Sequence, residues 1–165
     1  MKRPYGRLLL SFVAVVAMVT PYLADWNDTH IYNPDWSGHA KFHVAHTMLL
    51  GTLLGLLALR YLWRRAGDPR DNLMVGALLT GVYWLAQAGA ILVPGAAFVD
   101  PEFADRIPVV ADIQLNQLIL DVILLILTAI GYQWGRARLM NLAPPAGDRG
   151  SPTRVLQERT EVQSD

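Results

Sequence analysis

Residues 8–24 read LLLSFVAVVAMVTPYLA, a run without one charged side chain. A helix rises about 1.5 Å per residue and a hydrocarbon core is about 30 Å thick, so roughly 20 apolar residues cross it. Three further long apolar runs follow, at 44–63, 73–93 and 115–134, interrupted only by Arg60 and Asp121, with the other charges gathered between them. The pattern predicts an all-α fold: a four-transmembrane-helix bundle over 1–140. Residues 141–165 are rich in Pro, Gly, Ser and charge and short of large apolar side chains, so they are read as a disordered tail. Lys2, Arg3 and Arg7 precede the first run, as in a signal peptide. That run is long for one, and Tyr22 stands where cleavage needs a small residue, so the run is read as an uncleaved helix.

Composition agrees. Of 165 residues, 53% are hydrophobic and only 17% charged, below the soluble norm of about 25%. The formal charge is zero, which gives no field for nucleic acid, and there is no cysteine for a disulfide or a thiolate site. The expected partners are the lipid bilayer and an apolar small molecule. The pairs Gly51/Gly55 and Gly131/Gly135 are spaced for close helix packing and are expected to serve a partner or a homo-oligomer.

Arginines mark the orientation. They cluster at the amino terminus, between the second and third runs, and after the fourth, whereas the other two connections are acidic or nearly neutral. The positive-inside rule therefore puts both termini in the cytoplasm and the first connection outside, in what is read as a bacterial plasma membrane. Trp26 and Trp36 then fall at the outer interface and Trp63 and Trp134 at the inner one, as an aromatic belt requires.

That first connection, DWNDTHIYNPDWSGHAKFHVAH at 25–46, holds all 4 histidines: His30, His39, His43 and His46. Asn27, Asp28, Thr29 and the pair Asn33-Pro34 are turn formers, so an ordered lid is expected. His39, His43 and His46 share one face if the second helix begins by Gly38, and histidines at i, i+4 grip zinc or iron through their imidazoles. All three would span about 10 Å along a helix, too far for one ion. A mononuclear site would use one pair together with His30 and a carboxylate; His30, His39 and His43 are the candidate metal ligands. Histidines at a bilayer surface also serve simply to tie a loop down.

Deeper lies Asp121, six residues below the end of the fourth run, or roughly 9 Å. Gln87 is equally far from the end of the third. Gln114, Gln117 and Asp121 follow helical spacing. The opposite halves of the helices are almost free of polar side chains, which disfavours a channel or a proton relay and favours a cup opening at one side. An intramembrane carboxyl must be paired or protonated. Asp121 and His46 are the candidate catalytic groups, with Gln87, Gln117, Asn33 and Trp84 as ligand-binding residues. The alternative for Asp121 is an interhelical hydrogen-bond clamp.

The segment from Thr29 to His43, of the form THxxNPxWxxHAxFH, resembles the signature of an uncharacterised family of small four-helix membrane proteins. The resemblance implies that His30, Asn33, Pro34, His39 and His43 belong to a shared pattern, and it implies no reaction. Some relatives carry an acetyltransferase label, for which no acyl-coenzyme A loop is visible here. The emopamil-binding and sterol-isomerase superfamily is similar in architecture alone. Two functions are expected on these grounds: binding or conversion of an apolar or lipid-like molecule at a His/Asp site, or a non-catalytic structural or accessory role.

Overall fold

In the computed structural model, which describes residues 3–110, 113–114 and 116–142, four long helices carry the chain. They are α1 (Tyr5–Asp25), α2 (Gly38–Trp63), α3 (Pro69–Ala90) and α4 (Gln117–Leu142). Two of the starts are set by capping rather than hydropathy. Ser37 Oγ accepts from the Ala40 amide at 3.2 Å, and Asp68 Oδ1 accepts from the Arg70 amide at 2.7 Å with Pro69 in the first turn. These caps begin α2 and α3 several residues before their apolar runs. Between α3 and α4 lie a 3-10 turn (Pro101–Arg106) and a short antiparallel pair, β1 (Val109–Val110) with β2 (Ile113–Gln114). Gln114 thus sits on a strand, off the helical stripe expected for it. Of the stretch 141–165 read above as a disordered tail, Asn141 and Leu142 belong to the last turn of α4, and 143–165 lies outside the described residues, as do Asp112 and Leu115.

The helices form a closed ring in chain order, and α1 also touches α3 across the middle. Helices α2 and α4 make no contact among the described residues. Fully buried Leu10, Val13, Ala14, Leu62, Leu73 and Trp84 fill the interior. Outward the pattern inverts: Leu53, Leu78 and Ile126 are 58%, 64% and 53% exposed, within a belt of apolar side chains that water would not tolerate. All four helices are long and apolar enough to span a bilayer. Association within lipid rests on close packing, which small residues permit.

The glycine pairs supply that closeness inside one chain. A Cβ on Gly51 would meet the Ala17 carbonyl oxygen at 2.6 Å, and one on Gly55 would meet that of Ala14 at 2.9 Å. Gly131 and Gly135 lie in the same way against Gly6, Leu10 and Leu73. Both faces read above as surfaces for a second copy are therefore occupied by α1 and α3. Pro21 gives one of these contacts its reason. Lacking an N–H, it leaves the Ala17 carbonyl without its usual i+4 donor, and that oxygen is the one seated over Gly51.

Antiparallel helices bring the connections 26–37 and 91–116 to one end of the bundle, the histidine end. They are tied by Arg106, whose two terminal nitrogens donate to the Asp28 carboxylate at 3.1 Å. The guanidinium holds the Asp28 carboxyl below its ordinary range. A depressed folded value means that the tie is full at neutral pH and weakens as pH falls below the usual 3.8 through the folded value. Both side chains are exposed, so salt screens the pair. Amide protection across 27–33, taken relative to the intrinsic exchange rate at each pH, is expected to fall in high salt, at acid pH and in Arg106→Gln. Protection indifferent to all three would show that the pair does not pin the loop.

Candidate functional site

The lid is built from its own side chains. Asn27 Oδ1 accepts from the Thr29 amide and hydroxyl at 2.8 and 2.7 Å, while its Nδ2 donates to the Ala24 carbonyl. Asn33, 3% exposed, accepts from the Asp35 amide at 2.9 Å and donates to the Thr29 carbonyl. Both ends of its amide are therefore engaged in shaping the turn. His30 Nδ1 lies 2.6 Å from the Thr29 hydroxyl and 3.8 Å from Asp25 Oδ1, with its ring edge-on to Trp36.

The other histidines point elsewhere. Helix α2 does begin at Gly38, and His39, His43 and His46 do share a face, but all three are exposed. The packed face of α2 carries Met48, Gly51, Gly55, Ala58 and Leu62, roughly opposite. His46 accordingly does not reach toward Asp121, which stands on the one helix that α2 does not touch. His39 Nε2 and His43 Nε2 lie 3.1 Å apart, near the separation that two ligands of one ion adopt with metal–nitrogen bonds of about 2.0–2.1 Å. Among the described residues no three His, Asp or Glu side chains converge as a metal-binding group. The triad of His30, His39 and His43 is thus not assembled, because His30 folds back against the end of α1 while the pair faces outward.

The deep polar layer lies between α3 and α4. Trp84 and Leu124 belong to one buried cluster with Val13, Ala17 and Tyr83. Because the two helices run antiparallel, one turn toward the loop from these residues brings Gln87 and Asp121 to the same level. Asp121 is 0% and Trp84 1% exposed. Gln117 Nε2 donates to Asp121 Oδ1 at 2.9 Å along the helix. Asp121 Oδ2, Gln87 Oε1 and Trp84 Nε1 are buried without a partner. The layer is shallower than the apolar runs implied. Helix α3 ends at Ala90 and α4 starts at Gln117, so Gln87 and Asp121 lie about 4.5 and 6 Å from their helix ends.

Sequence reasoning passed over Tyr83. It is buried edge-on against Trp84, with ring centroids 5.1 Å apart, and lies within electrostatic reach of Asp25 and Asp121. Its signal was present, since Tyr83 stands four residues before Gln87 and shares its face. Whichever protonation state Asp121 takes, its Oδ2 needs a partner: an acceptor if neutral, a donor or a cation if ionised. With Gln87 Oε1 as acceptor and Trp84 Nε1 as donor, the layer suits a head group that both gives and takes hydrogen bonds.

Four apolar spans, an inverted surface and polar side chains gathered at one end define a four-helix integral membrane protein. The chain belongs to DUF6640, a family of unknown function, whose model matches residues 9–143. That membership accords with the uncharacterised four-helix family that the 29–43 motif resembles. No curated protein and no solved structure matches the chain.

Proposed function

We propose that the protein binds, within the bilayer, a small amphiphile with a hydroxyl or amine head seated against Asp121, Gln87 and Trp84. The observation that supports this is a fully buried carboxyl with one oxygen unpartnered, at the level of two more unpartnered polar atoms on the facing helix. Native proteins rarely leave such groups unmet, and inside a membrane no bulk water reaches them. The arginine distribution supports a histidine end on the extracytoplasmic side, which would place this layer in the outer leaflet. A structural role is favoured by one specific contact, the Gln117–Asp121 bond, which lies within α4 and needs no ligand.

The two readings separate in one titration. A dibrominated long-chain amine and the matching alcohol are added to the protein in lipid nanodiscs. The Trp84 fluorescence is isolated as the difference between wild type and Trp84→Phe. Saturable quenching is expected, with apparent affinity lowered at least about tenfold in Asp121→Asn, the loss of roughly one charged hydrogen bond. Quenching that rises linearly and is identical in Asp121→Leu would leave only the structural role.

A further inference from the structure

The opposite end of the bundle holds a second feature, independent of the Asp121 layer. A cavity of about 390 Å³ opens between the start of α1 and the last turns of α4. Arg3, Arg7 and Arg138 line it, with Trp63 and Leu139 among its apolar walls and no acidic side chain among the described residues. Arg138 Nη1 is buried and has no partner among the described residues. The glycine crossing explains the convergence: Gly6 against Gly131 and Gly135 brings the two backbones close enough for guanidinium groups from both helices to share one space. The first turn of α1 adds to the same field, since it has no side-chain cap and no acidic residue, and its amides point outward at the positive end of the helix dipole.

The neighbouring cavity sets a contrast. At about 270 Å³ between α3 and α4, it is lined by Asp71 as well as by Arg70 and Arg136, so its lining carries both signs of charge. Among the described residues, the α1–α4 cavity has three arginines and nothing of opposite sign. Its volume lies in the roughly 300–1,000 Å³ range of sites that hold a whole small molecule, more than a bare ion needs. Trp63 is held at its rim by a 2.9 Å bond from its indole N–H to Ser11 Oγ, an amphipathic ring fixed where lipid head groups begin.

We propose that this cavity binds a phosphate ester and that its source is the head group of an anionic phospholipid. Arginine forks suit phosphate oxygens in pairs, and basic pockets between membrane helices are ready sites for such head groups. The apolar walls would meet the glycerol and first methylenes.

Full-length protein in nanodiscs of phosphatidylcholine with phosphatidylglycerol is released into the gas phase for native mass spectrometry, and retained lipid is counted. Wild type is expected to keep phosphatidylglycerol over phosphatidylcholine. Arg138→Gln and Arg7→Gln should each lower that preference about fivefold, the effect of one arginine near a lipid phosphate. Arg136→Gln, in the neighbouring cavity, should leave it unchanged, and Arg138→Lys should restore most of it. Circular dichroism identifies any variant that has lost its fold, in which case Arg7→Gln carries the test. Equal retention of both lipids, or an equal loss in Arg136→Gln, would overturn the proposal. A parallel arm adds millimolar inorganic phosphate. Thermal stabilisation of wild type by phosphate, without preference for phosphatidylglycerol, would overturn the lipid assignment.

Discussion

Gly6→Val is expected to destabilise the bundle by about 3 kcal/mol or more, read as a loss of helicity at lower temperature or lower SDS fraction in micelles. A Cβ at this position would stand 2.5 Å from the Gly131 carbonyl oxygen and 2.8 Å from the Gly135 Cα. These are backbone atoms, which cannot rotate aside as a flexible side chain would, so relief requires α1 and α4 to separate. Overpacking in cores typically costs about 1–3 kcal/mol, and a main-chain collision belongs at or above the top of that range. In lipid the penalty compounds, because close packing is itself what holds the helices together. Gly89→Ala is the control. Nothing lies within 4 Å of its would-be Cβ, so it should cause no loss and give up to about 1 kcal/mol of gain from reduced chain entropy. If Gly6→Val melts like Gly89→Ala, the α1–α4 crossing is wrong.

Trp84→Ala is expected to cost about 3 kcal/mol, the low end of the roughly 3–5 kcal/mol typical of large aromatic deletions. Trp84 is among the largest fully buried side chains and packs with residues of α1 and α4. The reason for the low end is the reference state. When helices separate inside a micelle the indole still lies in apolar surroundings, so the transfer from water contributes little and the emptied cavity carries the loss. Trp84→Phe divides volume from polarity. It keeps most of the packing and removes an N–H that has no protein partner, so it should fall within about 1 kcal/mol of wild type. A Trp84→Phe loss as large as that of Trp84→Ala would mean that the N–H is bonded within the unliganded protein.

The sequence made the four spans legible because an apolar run long enough to cross a bilayer has few other uses. It placed their ends less well, since hydropathy records where lipid begins whereas Ser37 and Asp68 record where backbone hydrogen bonding begins. The glycine spacings announced close approach without naming what approaches; nothing local distinguishes a second copy from α1 of the same chain. The histidine stripe was legible as a face, and its direction was within reach too. His46 and Gly55 are nine positions apart, about two and a half turns at 3.6 residues per turn, so if Gly55 packs inward His46 looks out. Asp121 and Gln87 stood out by depth, because a polar group in a membrane span is rare. Tyr83 did not, because a tyrosine in such a span is unremarkable until its neighbours are known. Spacing could not show that the loop engages both ends of the Asn33 amide.

The contact of α1 with α3 across the middle gives the bundle a rhombic section with no lumen along its axis. A guest of the Asp121 layer would therefore arrive sideways, having first dissolved in lipid. Its strength as measured from water would be a product of two equilibria, partition and seating, of which only the second involves the protein. Each added methylene deepens partition by about 0.8 kcal/mol without touching a side chain. Chain-length series would thus report the membrane, and head-group series would report Asp121.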